Sequence, residues 1–189
     1  MNNLFFGGGY YYKISKKENE SKYKFEMCHS EVPNDVPKGE KYIKNSFNGI
    51  LGLAIGDAIG VPIEFVSRDT LLDNPITEMR EYGSHKVPKG TWSDDTSMTL
   101  ATMDSIKNTE KIDCTDIANN FLKWFKDAEY TATGDVFDIG RTTLRALAKF
   151  EESRNPFDCG ESNELSNGNG SLMRILPIAY YCYYQGRNV

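Results

Sequence analysis

From Lys41 onward, apolar residues recur at helical spacing and predict a run of helices. The first covers about Tyr42 to Ile59 and is stopped by Gly60-Val61-Pro62. A second starts at Ser93 or Asp94 and carries Met98, Ala101 and Met103 to about Lys107. The third opens near Asp113 or Thr115. Its Ile117, Phe121, Trp124, Phe125 and Ala128 fall at i, i+4, i+7, i+8 and i+11, one amphipathic face. A fourth follows Thr142-Thr143 with Leu144, Leu147 and Ala148 inward. The last begins at Ser171 and continues through Leu172, Ile175, Leu176 and Ile178 into a tyrosine-rich end. No β-hairpin pattern follows residue 41, so the expected fold class is all-α: an irregular helical bundle with long connecting loops, residues 41–189.

Residues 1–40 read differently. Leu4-Phe5-Phe6 runs into three glycines and then Tyr10-Tyr11-Tyr12, followed by a mixed-charge stretch and a segment holding Pro33 and Pro37. The alternation of Tyr23, Phe25 and Met27 predicts a short strand. This segment is expected to be an accessory extension, a hairpin or a partly disordered arm. The triple glycine is no phosphate loop, because no Gly-Lys-Ser/Thr follows it.

The 189 residues suffice for one domain with a real core, and 39% hydrophobic content with 12% aromatics is globular. A net charge of −5 and a pI of about 5.2 offer no basic field for nucleic acid or anionic lipid. The stretch Gly49 to Ile63 contains Asp57 and is too short to span a bilayer. The four cysteines, Cys28, Cys114, Cys159 and Cys182, form no Cys-x-x-Cys pair and have two histidines, His29 and His85, for company. They read as free thiols in a reducing compartment, not as a zinc site. With no secretory leader pattern at the start, the expected localisation is cytoplasmic.

Four stretches could carry chemistry. Ser93-Asp94-Asp95-Thr96 places oxygen ligands in consecutive positions where a loop enters a helix, as a hard divalent cation requires. Ser and Asp are also N-cap residues, and acids suit a first helical turn, so capping alone is the competing reading. Gly52, Gly56 and Gly60 form a stripe on helix one, which predicts tight helix–helix packing, and Glu64 follows on a proline-stiffened loop. Asp138 sits in a loop ahead of Gly140, Arg141, Thr142 and Thr143, and reads alone as a turn before a capped helix. Asn169-Gly170-Ser171 opens the last helix, where free N–H groups would accept a diphosphate, with Arg174 one turn in to meet a phosphate or an acid. The two histidines are isolated and read as surface residues.

Together these stretches resemble the ADP-ribosylglycohydrolase family. The match is carried by Gly52 to Phe65, Thr91 to Met98, Phe137 to Thr143 and Asn169 to Pro177, in the family's order and over roughly residues 45–180. The resemblance implies an orthogonal all-α fold with two divalent cations, Mg2+ or Mn2+. It places Ser93, Asp94 and Asp95 at the metals, and Asp138, Glu64 and Asp95 as the catalytic candidates. Asn169, Gly170, Ser171, Gly140, Thr142 and Arg174 would contact substrate. The implied reaction is hydrolysis of the glycosidic bond between ADP-ribose and an acceptor, a modified protein or small molecule. The family completes its metal site with a downstream Asp-x-Asp-Thr type element. No acidic residue follows Arg174 here. The expectation is therefore half a metal site: a fragment, a chain completed by another polypeptide, or a non-catalytic ADP-ribose-binding or structural member. The aromatic end of the last helix calls for a covering partner, either a completing C-terminal part or a second copy.

Overall fold

The computed structural model describes the backbone of residues 2–6, 10–15, 24–29, 40–163, 166 and 168–185, with side chains from Ser46 onward. Strands β1 (Asn2–Phe6), β2 (Tyr10–Ser15) and β3 (Lys24–His29) form an antiparallel sheet in the order β1-β2-β3. Phe6 pairs with Tyr10 across the triple glycine, and Tyr12 pairs with Met27. The extension is thus a three-stranded meander, one strand more than a hairpin. The strand expected around Phe25 and Met27 is β3, while Tyr23 lies outside the described residues.

Among the described residues everything from Glu40 onward is helix or loop. Helix α1 (Glu40–Gly60) passes into a single 3-10 turn, Val61–Ile63, with Pro62 near its start, where a missing N–H costs nothing. Helix α2 (Arg68–Asp73), capped by the Ser67 hydroxyl, has no buried residue and therefore no apolar period to betray it. Helix α3 (Asp94–Thr109) is central and packs on α1, on α4 (Cys114–Asp127) and on α6 (Leu176–Tyr184). Met98 and Ala101 of α3, Ile117, Phe121, Leu122 and Trp124 of α4, and Leu147 and Phe150 of α5 (Arg141–Ser153) form the core. Asp94 aside, the rest of the buried face of α3 is hydroxylic. Ser97, Thr99 and Thr102 each donate to the carbonyl four residues back at 2.7–2.8 Å, which satisfies their polarity inside the bundle. Asp113 caps α4 by accepting from the amides of Thr115 and Asp116.

Three expectations need correction. On α5 the inward face is Thr143, Leu147 and Phe150, whereas Leu144 and Ala148 are exposed. Spacing of 0, 4 and 7 keeps that face on one side, and Leu144 lies about 100° away from it. The last helix starts at Leu176, not Ser171. Residues Asn169–Ser171 form a 3-10 turn instead, because Pro177 fits a first turn but would lack its N–H and clash in a helix interior. Finally, a Cβ on Gly52, Gly56 or Gly60 would meet nothing within 4 Å among the described residues. The close approach is made at Gly49, where a Cβ would lie 1.9 Å from the Tyr180 hydroxyl of α6.

The Gly49 to Ile63 stretch, read from sequence as too short to span a bilayer, is part of a longer apolar run. Helix α1 with the 3-10 turn after it is long and apolar enough to cross a membrane by length and composition alone, with mean hydropathy 1.4 over Ser46–Ile63 and 17% of that window buried. Its Asp57 is committed to α3, as described next. Cys114, Cys159 and Cys182 are free thiols.

Candidate functional site

Residues Gly90 to Asp95 turn the chain into α3. Gly90 takes a left-handed conformation (φ 81°), and the Trp92 indole donates to the Tyr130 carbonyl at 3.1 Å. Ser93 occupies the N-cap position but makes no side-chain cap bond. The capping group comes from elsewhere: the Asp57 carboxylate, near the end of α1. It accepts from the Ser93 amide (3.0 and 3.1 Å) and the Ser93 hydroxyl (2.8 Å). It also accepts from the Thr96 amide (3.1 Å) and the Thr96 hydroxyl (2.6 Å). An acid facing the positive end of α3 is well placed electrostatically. With Asp57 filling that role, Asp94 and Asp95 are not needed as caps. Asp94 is nevertheless 5% exposed.

A cavity of about 350 Å³ is lined by Asp57, Gly60, Val61, Ile63, Glu64, Ser93, Asp95 and Asp138. Four carboxylates from three separate stretches therefore share one small space. Burial pushes the Asp94 carboxyl up to about 7, with the charges of Asp138, Asp95 and Asp57 adding to it. Asp95 is also raised, by burial and then by the charge of Asp57, against a bond from Ser93. Asp138, held at φ 60°, is raised to about 6 by burial, by its hydrogen bond to Glu64 and by Glu64's charge, which His85 partly offsets. Crowded, partly desolvated acids of this kind are what a bound cation or a shared proton stabilises.

The remaining candidates lie apart from this cavity. Gly170 approaches Thr143 so closely that a Cβ would sit 3.0 Å from its hydroxyl, and Gly140 faces the same hydroxyl at 4.0 Å. Thr142, Asn169 and Ser171 are exposed. Ser171 and Arg174 line a second, largely apolar cavity of about 350 Å³. The Arg174 guanidinium stacks over Phe121 at 4.5 Å and donates to Met98 Sδ at 3.2 Å. Burial lowers its pKa, and the charge of Asp94 opposes that shift. Arg174 thus lies within electrostatic reach of Asp94, which links the two regions. The expected α-helix N-terminus at Ser171 is absent, so any anion would meet the amides of a 3-10 turn.

Sequence reasoning overlooked two residues. Asp57 lay inside the glycine-rich stretch, and its signal was indirect: the first amides of α3 needed an acceptor that Ser93 does not supply. His85 is not an isolated surface residue. Its Nε2 lies 2.5 Å from Glu64 Oε2, and Glu64, His85 and Asp138 each offer a ligand atom within 4.8 Å of the others, a grouping able to hold a metal ion. Nothing in the spacing of residues 64, 85 and 138 announces this.

Residues 40–188 match the family described as ADP-ribosylglycohydrolase. The chain is 33% identical to the ADP-ribosylarginine hydrolase Tri1 of Pseudomonas putida over 75% of its length and 37% of the relative's. It is 30% identical to the ADP-ribosyl-[dinitrogen reductase] glycohydrolase of Rhodospirillum rubrum, covering 71% of this chain and 43% of that protein. A solved structure of an ADP-ribosylglycohydrolase-related protein complex superimposes with a TM-score of 0.53 at 31% identity, covering 71% of this chain and 41% of that one. The chain thus spans about two-fifths of the length of the relatives it matches. With residues 40–188 matched, the chain belongs to the ADP-ribosylglycohydrolase family.

Proposed function

We propose that this chain binds the ADP-ribose unit and takes part in hydrolysing the glycosidic bond between its anomeric carbon and an acceptor. The observation that carries the reading is the convergence of Glu64, Asp95 and Asp138 with Ser93 on one cavity, beside a buried Asp94. Ser93, Asp94 and Asp95 would hold Mg2+ or Mn2+. The donor set fits hard cations: oxygen atoms only, with carboxyls whose proton affinity is raised by burial first and by neighbouring acids second. Bound there, a dication supplies a charge that orients sugar hydroxyls and water. Three residues are fewer than the six or so oxygens such ions take, so water, substrate or another polypeptide supplies the rest.

Asp138, with its pKa near 6, exchanges a proton readily at neutral pH and is the candidate acid/base. Water adds its hydroxyl to the anomeric carbon, the bond to the acceptor breaks, and a proton returns to the leaving atom. Glu64 bonds Asp138 and keeps its proton inside the site. The amides of Asn169 to Ser171, with Gly140, Gly170 and the Thr142 hydroxyl, would take the diphosphate. Arg174 would steady Asp94.

The test is release of free ADP-ribose from ADP-ribosylarginine, the substrate class named for the Pseudomonas relative. Full-length chain is assayed with Mg2+, with Mn2+ and with chelator, beside Asp94→Asn and Asp95→Asn. Loss of turnover in both variants and in chelator supports the proposal. Turnover indifferent to all three removes the metal site. Calorimetric binding of ADP-ribose without turnover would instead identify a non-catalytic binder, and no binding a structural role.

A further inference from the structure

We propose that His85 is a positioning residue for the Glu64–Asp138 carboxyl pair, holding Glu64 at one end of a three-member hydrogen-bonded chain. The segment carrying it is clamped to the Glu64 loop at successive points. Gly83 lies so close to the Pro62 carbonyl that a Cβ would fall 1.8 Å from its oxygen. The Ser84 amide donates to the same carbonyl at 3.1 Å, and the Ser84 hydroxyl donates to the Glu64 carbonyl at 2.5 Å. The His85 ring then meets Glu64 Oε2 through Nε2 at 2.5 Å. It also lies 6.1 Å from the Phe65 ring and 5.2 Å from the Phe137 ring, centroid to centroid. Phe65 follows Glu64 and Phe137 precedes Asp138, so one imidazole touches both loops that deliver the acidic pair.

The side chains are unequally covered: His85 is 16% exposed and Glu64 35%. The more buried ring therefore anchors the more exposed carboxylate. A carboxylate only accepts, so a Glu64 that receives both the Asp138 hydroxyl and the His85 N–H has its lone pairs directed by both. Without the ring, Glu64 has three free torsions at the mouth of the cavity and one partner left, and it swings toward water. A displacement of about 1 Å in such a group is enough to lower turnover on the order of a hundredfold, and loss of a supporting hydrogen-bond partner typically lowers it about 10- to 100-fold.

The activity readout rests on the hydrolase reading above, so the experiment carries a second one. His85→Leu keeps bulk without a donor, and His85→Gln restores a donor near the position of Nε2. In the full chain, His85→Leu is expected to lower kcat about 10- to 100-fold with KM within about twofold of the parent, and His85→Gln to recover most of the loss. Crystal structures of the three proteins should show Glu64 bonded to Asp138 in the parent and in His85→Gln, and rotated out in His85→Leu. Turnover of His85→Leu within twofold of the parent overturns the proposal, as does equal loss in both variants with lowered melting temperatures. If the parent itself shows no turnover, the hydrolase reading falls, and the Glu64 conformation alone decides the role of His85: unmoved in His85→Leu, it is refuted.

Discussion

Removing the Asp57 carboxylate should unfasten the start of α3. Asp57→Ala deprives two backbone amides and two hydroxyls of their acceptor, at Ser93 (4% exposed) and Thr96 (2% exposed). A buried donor left unsatisfied costs about 1–3 kcal/mol, so the two amides alone come to about 2–6 kcal/mol. Part is recovered. The Ser93 hydroxyl is free to turn onto the Thr96 amide as an ordinary N-cap, worth about 1 kcal/mol, and Asp94 and Asp95 lose a repelling neighbour. The net expectation is a loss of about 3 kcal/mol for Asp57→Ala. Asp57→Asn keeps one acceptor oxygen and sets its NH2 against a hydroxyl that can rotate to accept, so about 1–1.5 kcal/mol is expected. Urea unfolding of the parent and both variants measures this, with a common slope confirming that the compared states are alike. A loss below 1 kcal/mol for Asp57→Ala would refute the assignment of Asp57 as the cap of α3.

Stability should also depend on pH through the crowded acids. Asp94 and Asp138 have folded-state values near 7 and 6 against 3.8 for the free group, so the folded chain holds protons that the unfolded chain has released. Their contribution is complete below pH 4 and is lost as pH rises through about 6 to 7. In chelator, the melting temperature should be lower at pH 8 than at pH 5, and Asp94→Asn should shrink that difference; an unchanged difference would count against burial of Asp94. Gly83→Ala places a Cβ against the backbone of Pro62, which cannot yield cheaply. It should impair turnover by moving the Glu64 loop while far-ultraviolet circular dichroism stays native, and a fully active Gly83→Ala protein would contradict that packing. Ala128 ends α4 in a left-handed conformation (φ 52°) that glycine adopts without a Cβ penalty. Ala128→Gly should therefore raise stability by about 0.5–1 kcal/mol, or about 1–4 °C in melting temperature by calorimetry.

The helices were legible wherever one face is apolar and the other polar. The α4 pattern from Ile117 to Phe125 announced both the helix and its buried side. The start of α3 at Asp94 and the oxygen-rich content of the site were also readable, because consecutive Ser, Asp, Asp and Thr leave few local alternatives. Elements whose order comes from distant contacts or local caps were not. Helix α2 buries nothing, Leu144 has the composition of a core residue and faces solvent, and Pro177 displaces the start of α6 by five residues from Ser171. The site itself divides the same way. Glu64, Asp95 and Asp138 could be named one by one, but Asp57 reaches Ser93 across 36 positions and His85 reaches Glu64 across 21. Such pairs leave no period in the chain. What each residue can donate, accept or bury is a local property, written in its own side chain. Which donor meets which carboxylate, and how far the shared burial raises that acid, is decided only when α1, α3 and the loops around Glu64, His85 and Asp138 close on one cavity and exclude the water that would otherwise separate their charges.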